Sequence, residues 1–301
     1  MSETTAIEWC TSTWNPWQGC TKVSPGCDLC YAEALSRRWG KDFTTLHRSA
    51  DATFYAPLRW KTPRKIFTCS ISDFFHKQAD PWREEAWEII LKTPQHTYQI
   101  LTKRPGLMVA WAKTHPWPEH VWAGTSVENQ KYAPRLDVLA RVPAKVRFVS
   151  VEPMLGPVDL QEWLGLHGNR DTDGLSEFDA PMLEPAINWV IAGGESGPGA
   201  RPAHPDWFRS LAKQCKAAGV PFFFKQRGEW TWEENWAWDK DGAGPAIPLD
   251  WKKHPDRYQF LQPDGSQGTG YDGGRGVFVA KVGKKAAGAL LDGQKWWEFP
   301  V

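Results

Sequence analysis

The chain has 301 residues, with 36 Lys and Arg against 35 Asp and Glu, a formal net charge of +1 and 41% hydrophobic residues. That balance fits a globular protein of one large domain or a domain with an appendage, whose core needs no disulfides. It excludes a bulk polycation, although a near-neutral chain still has room for a local basic groove.

The first eight residues are polar and acidic and no long apolar run follows, so neither a secretory signal nor a membrane span is expected. The expected location is the cytoplasm, where cysteines stay reduced. Residues 7–10 read as a short entry strand, and Thr13-Trp14-Asn15-Pro16 as a turn. Cys20, Cys27 and Cys30 come next, the first two amid Gly and Pro on a loop. The third stands just ahead of a helix expected over 32–39 and ended by Gly40. Cys10, Cys69 and Cys215 are dispersed and read as ordinary buried thiols.

A regular alternation begins at residue 65. Apolar runs at 65–70, 97–102, 120–125, 146–151, 189–192 and 221–224 read as strands. Helical spacing recurs at 82–92, 107–113, 132–140 and 207–218. Continuous apolar strands are buried on both faces, which implies a parallel sheet flanked by helices. With the entry strand, the expected fold is α/β, a partial (β/α)6-7 barrel over 1–228, with a doubly wound sheet as second choice. Residues 160–186 form a polar insertion read as a surface loop or lid. Residues 229–301 form a Trp-rich C-terminal subdomain. There Trp230, Trp232, Trp236, Trp238 and Trp251 either stack on an extruded base or pack the subdomain onto the barrel, the second reading being preferred.

The polar residues follow a rule. Ser70, Ser72 and Asp73, then Lys103 and Arg104, Ser126, Glu128 and Asn129, Glu152, Gly193 to Ser196, and Lys225 and Gln226 all stand at the C-terminal ends of expected strands. In a parallel β/α barrel those ends share one mouth, and the cysteine loop opens there too. A carboxylate ending a buried strand, as Glu152 and Glu195 do, is costly unless it is paired or binds something. Gly193 and Gly194 let a ligand approach the backbone closely. Lys103 and Arg104 suit a substrate phosphate or a salt bridge to Glu152. Glu152, Glu195 and Lys103 are the candidate catalytic residues. A basic set of Arg37, Arg38, Lys41, Arg59, Lys61, Arg64 and Lys65 either meets a phosphate backbone or is a scatter of solvated charges.

Three thiolates ahead of a helix suit a metal centre with one open position. A closed zinc site wants four ligands, and neither Cys10 nor His47 stands at a knuckle spacing. The stretch Trp14-Asn15-Pro16 through Gly19-Cys20-Thr21-Lys22-Val23-Ser24-Pro25-Gly26-Cys27-Asp28-Leu29-Cys30-Tyr31-Ala32-Glu33 resembles the radical S-adenosylmethionine superfamily. It resembles more closely the phage-associated proteins of the Gp37/Gp68 type, the DUF5131-type family. The likeness continues at 121–129, 148–153, 191–197, 222–226 and 282–300 and covers essentially the whole chain. It departs from the superfamily in a longer first gap, residues 21–26, and in Leu29 where an aromatic residue usually precedes the last cysteine.

The resemblance implies a radical S-adenosylmethionine enzyme with a 4Fe-4S cluster on Cys20, Cys27 and Cys30 and a radical-SAM-type barrel. It implies S-adenosyl-L-methionine across the mouth, its amine near Ser70, Ser72 and Asp73 and its ribose on Ser126, Glu128 and Asn129. Gly193, Gly194 and Tyr31 complete the expected cofactor-binding set. The implied reaction forms a 5′-deoxyadenosyl radical that takes a hydrogen atom from a nucleotide in phage DNA, for rearrangement, isomerisation or hypermodification. An external one-electron reductant of the flavodoxin or ferredoxin kind is the implied partner, and the host cytoplasm the implied location. A similarity to spore photoproduct lyase gives a DNA repair lyase as the alternative. The non-enzymatic alternative is an iron–sulfur or zinc nucleic-acid-binding protein.

Overall fold

The structure, a computed structural model, describes residues 4–165, 185–232, 251–268 and 276–301. Its centre is a seven-stranded sheet of β1 (Ser12–Trp14), β2 (Lys65–Thr68), β3 (Thr97–Thr102), β4 (Val121–Ser126), β5 (Arg147–Val151), β6 (Trp189–Gly193) and β7 (Phe222–Gln226). All neighbours pair in parallel and the spatial order repeats the chain order. A doubly wound sheet would reverse its order at a switch point, and this one never does. The sheet curls, and its end strands do not pair with each other, so it is an open half-barrel.

The entry strand lies later than the sequence suggests. Residues 7–10 make a turn in which Cys10 N–H donates to Ile7 O (3.3 Å), and the strand falls on Ser12–Trp14. Its register against β2 decides this: Ser12 pairs Ile66 and Trp14 pairs Thr68, while Cys69 N–H donates to Trp14 O (2.8 Å).

Strand residues alternate between two cores. Outward residues such as Ile66, Ile100, Val149 and Phe224 join the helices in the main core. Inward residues Phe67, Phe148, Trp189, Ile191 and Phe223 form a second cluster with Trp9, which Leu101, Trp122 and Phe299 flank. A Cβ on Gly124 would lie 2.3 Å from the Phe148 ring, so the absent side chain lets that ring fill the interior.

The helices used below are α1 (Tyr31–Arg38), α2 (Asp80–Lys92), α3 (Pro105–Ala112), α4 (Arg135–Leu139) and α5 (Pro205–Ala218). α5 shows why such a segment is helical. His204 caps it by accepting from Asp206 N–H, Pro205 opens it, and Gly219 (φ 65°) ends it. Its buried stripe includes Phe208, Leu211 and Cys215, and Phe208 packs on Phe224 with ring centroids 5.0 Å apart.

Beyond β7 the chain forms an antiparallel sheet of β8 (Trp230–Trp232), β9 (Tyr258–Leu261) and β10 (Val277–Lys281), with β10 central. Trp230 and Trp232 are buried, so these two serve packing. Trp236 and Trp238 lie outside the described residues, as does 166–184 of the expected insertion. The chain end returns to the barrel, where Trp189 Nε1 donates to Glu298 O (2.8 Å) and Phe299 lies against Trp189. Among the described residues no helix is long and apolar enough to cross a membrane.

Candidate functional site

The cysteine loop is tied to the mouth at its start. Gly19 (φ 100°) leaves the short antiparallel pair formed by Trp17–Gln18 with His47–Arg48, and a Cβ there would lie 2.6 Å from Thr45 O. Cys20 N–H donates to Phe43 O (2.7 Å), and Ser72 Oγ donates to Gly19 O. Pro25–Cys27 makes one 3-10 turn, and Cys30 is the N-cap of α1.

Three charged groups from different strand ends then clamp the loop along its length. After β3, Arg104 donates to Thr21 O (2.9 Å), Thr21 Oγ1 (2.9 Å) and Cys20 Sγ (3.6 Å) while pairing with Asp73 (2.8 Å). After β4, fully buried Glu128 accepts from Ser24 Oγ (2.6 Å) and pairs with Arg135 (3.0 Å) and Lys103 (3.6 Å). After β6, Glu195 holds Arg201 by two oxygens (2.6 and 2.8 Å), and Arg201 reaches Pro25 O (2.9 Å) and Asp28 (3.6 Å). Bidentate pairing of this kind fixes direction as well as distance. His76 supports the first clamp from below, its Nε2 lying 2.9 Å from Thr21 Oγ1. Burial and the Arg104 charge lower its pKa, which keeps the ring neutral.

Between loop and strand ends lies a cavity of about 470 Å³. Trp9, Phe67 and Leu101 give it an apolar floor from the inner cluster. Ser126, Ser150, Glu152, Glu195 and Lys225 are its polar wall, and Cys20, Cys27, Cys30, Leu29 and Tyr31 line it from the loop. Glu152 and Lys225 form an ion pair at 2.7 Å, their side chains only 21% and 17% exposed. Tyr31, a residue 54% exposed, donates its hydroxyl to Ser70 O and so ties α1 to the end of β2.

Most of the residues singled out from the sequence line this one cavity: Cys20, Cys27, Cys30, Tyr31, Ser70, Ser72, Asp73, Lys103, Ser126, Glu152, Gly194 and Glu195. Glu128, Asn129 and Gly193 do not. Glu128 is the loop clamp, Asn129 caps the next 3-10 turn by accepting from Lys131 N–H (3.2 Å), and Gly193 lies under Glu152. Asp73 lines the wall with its oxygens occupied by Thr102 Oγ1, Lys103 N–H, Phe75 N–H and Arg104.

Sequence reading missed Cys69, Ser150 and Arg201. Cys69 lines the cavity from a left-handed backbone position (φ 63°). Ser150 stands two residues before Glu152, and the strand period alone places it on the same inner face. Arg201 has no local signal, because its partners in the loop are set by the fold.

The metal expectation is corrected. Among the described residues, no group of three or more His, Cys, Asp or Glu side chains is placed to hold a metal ion. Cys20 precedes the turn, Cys27 closes it and Cys30 begins a helix, so the thiols are spread along the lining instead of gathered into a ligand set. Their local partners differ as well: Cys20 Sγ meets Thr21 O and Arg104, while Cys27 Sγ meets Ser24 Oγ at 3.9 Å. Burial pushes the Cys20 thiol up to about 11, with Asp73 adding to the rise and Arg104 opposing it. These placements do not fit the iron–sulfur, radical-SAM and metal-binding labels implied by the resemblance.

The family described as "Protein of unknown function (DUF5131)" matches residues 4–300. No curated protein and no solved structure matches the chain.

Proposed function

We propose that this chain, which belongs to the DUF5131 family, is an enzyme that takes S-adenosyl-L-methionine into the mouth cavity and acts on a nucleotide substrate. The observation that carries the proposal is the Glu152–Lys225 pair on the concave face of the sheet. An α-amino-acid tail offers an ammonium to Glu152 and a carboxylate to Lys225, replacing one internal ion pair by two charge-assisted contacts. Ser126 and Ser150 stand on the same wall with hydroxyls suited to a ribose, and the aromatic floor suits an adenine face. The volume of about 470 Å³ is in the range of cofactor-sized pockets.

The chain's own part in the reaction is to bind, orient and exclude water. The buried strand ends hold the polar wall rigid, and the clamped loop covers it from the other side. Charges in such a site interact more strongly than in water, so Glu152 and Lys225 orient a zwitterion with little reorganisation.

The test is product analysis on anaerobically purified protein under reducing conditions with S-adenosyl-L-methionine. An adenosyl product of polar group transfer, S-adenosylhomocysteine or 5′-methylthioadenosine, is expected from the native chain when a nucleotide acceptor is present. Glu152→Gln and Lys225→Ala should each weaken S-adenosyl-L-methionine binding about tenfold or more, the size of a lost charge-assisted bond. Neither product from a folded protein, together with native affinity in both variants, would overturn the proposal.

A further inference from the structure

We infer that the rim of the cavity is a docking surface for single-stranded nucleic acid, one nucleotide of which enters the mouth. This rests on the nucleotide reading above and names the polymer that would carry the nucleotide. The observation is the outer face of α1. Tyr31, Leu35 and Arg38 fall on one side of this helix at its turn spacing, with Trp39 next to them at the C-cap. Tyr31 is 54% exposed and Trp39 53% exposed, so two aromatic side chains stand partly in solvent about 12 Å apart along one short helix, Tyr31 with its hydroxyl turned to Ser70 O.

Cations accompany them. Arg37, Arg38 and Lys41 are exposed around Trp39, and Lys22 is exposed on the loop. Three acidic residues stand among them: Glu33 is paired with Lys22 (3.2 Å) and Arg37 (3.3 Å), Asp28 with Arg201 (3.6 Å), and Asp42 accepts from Thr44 and Thr45. That leaves Arg38 and Lys41 as the cations beside Trp39 with no acidic partner among the described residues. Exposed Lys284 and Lys285 add charge from the C-terminal subdomain, and Lys284 lines the cavity together with Tyr31. Exposed cations on both sides of one mouth set up a positive local potential that attracts a polyanion.

Exposed rings spaced along such a basic strip match the two needs of a single strand, stacking for bases and cations for phosphates. A duplex satisfies only the second, because its bases are already stacked. The cavity behind the rim is of nucleoside size, and a base must leave its stack to enter it.

Anisotropy of a fluorescein-labelled single-stranded DNA of about 15 nucleotides, measured against its duplex at several salt concentrations, tests this. The single strand is expected to bind more tightly than the duplex. Trp39→Ala should weaken it about fivefold or more. The double variant Lys284→Glu with Lys285→Glu should flatten the salt slope by about one to two. All these positions are exposed, so circular dichroism should stay native. Equal binding by all variants, a preference for duplex, or no binding by folded protein would overturn the inference. So would nuclease-resistant co-purification of a protein that Trp39→Ala releases, which would give the rim to a protein partner. S-adenosyl-L-methionine affinity is measured on the same samples. If it is absent while the oligonucleotide results hold, the cosubstrate reading falls and the docking surface stands.

Discussion

Gly194→Ala is expected to lower stability by about 3 kcal/mol or more, at the upper end for an added methyl group. A Cβ at this position would lie 1.9 Å from Arg227 O, which is backbone and has no rotamer to yield. The backbone is held on both sides, since Gly194 N–H donates to Gln226 O (2.9 Å) and Gln226 Nε2 donates to Gly194 O (2.9 Å). β6 and β7 would have to part at the mouth, carrying Glu195 and Lys225 with them. Thermal unfolding should shift downward by about 6 °C or more. Gly106→Ala is the control: it sits in α3 with open space around its Cβ, and it should raise stability by up to about 1 kcal/mol. Equal melting of the two variants would show that the close approach at Gly194 is not there.

Glu128→Ala should be comparably costly and should also release the cysteine loop. Removing one member of a buried ion pair costs about 3–5 kcal/mol, because the partner charge is left without compensation. Arg135 and Lys103 keep 13% and 21% side-chain exposure, so water screens part of that cost and the low end, about 3 kcal/mol, is expected. The local effect is more specific. Ser24 Oγ loses its acceptor, and Gly26, whose Cβ position lies 2.5 Å from Glu128 Cγ, loses the surface it rests on. Alkylation of Cys27 in folded protein should accelerate relative to fully buried Cys215. Glu128→Gln keeps an acceptor for Ser24 and should protect Cys27 better than Glu128→Ala. Global destabilisation with unchanged relative reactivity of Cys27 would mean that Glu128 supports the sheet but not the loop.

Much of the sheet was legible because buried parallel strands are written as uninterrupted apolar runs. The run at 97–102 is β3 as observed, and the run at 221–224 lies within or beside β7. β1 was misplaced because Ser12 and Thr13 are polar, and only pairing with β2 makes them strand. Gathering Ser70, Asp73, Glu152 and Glu195 at one mouth needed only the parallel topology, which puts every strand's C-terminal end on the same side.

What the sequence could not carry was direction and partnership. Three nearby cysteines guarantee proximity along the chain, and they do not guarantee convergence of side chains on a metal. Glu128 looked like a ligand for a diol because it ends a strand, yet the fold gives it Ser24, 104 residues away in the chain. Arg201 clamps Pro25 across 176 residues, a pairing that no local pattern encodes. Asn129 likewise reads as a polar strand end and turns out to satisfy its own turn.

Hydrogen exchange of the native chain with and without S-adenosyl-L-methionine tests most directly whether the mouth cavity is the functional site. Slower exchange is expected in the loop at 19–31 and at the strand ends 69–73, 102–104, 150–153, 193–196 and 225–227, with β9 unchanged. Protection confined to other segments, or no protection at saturating ligand, would contradict the account.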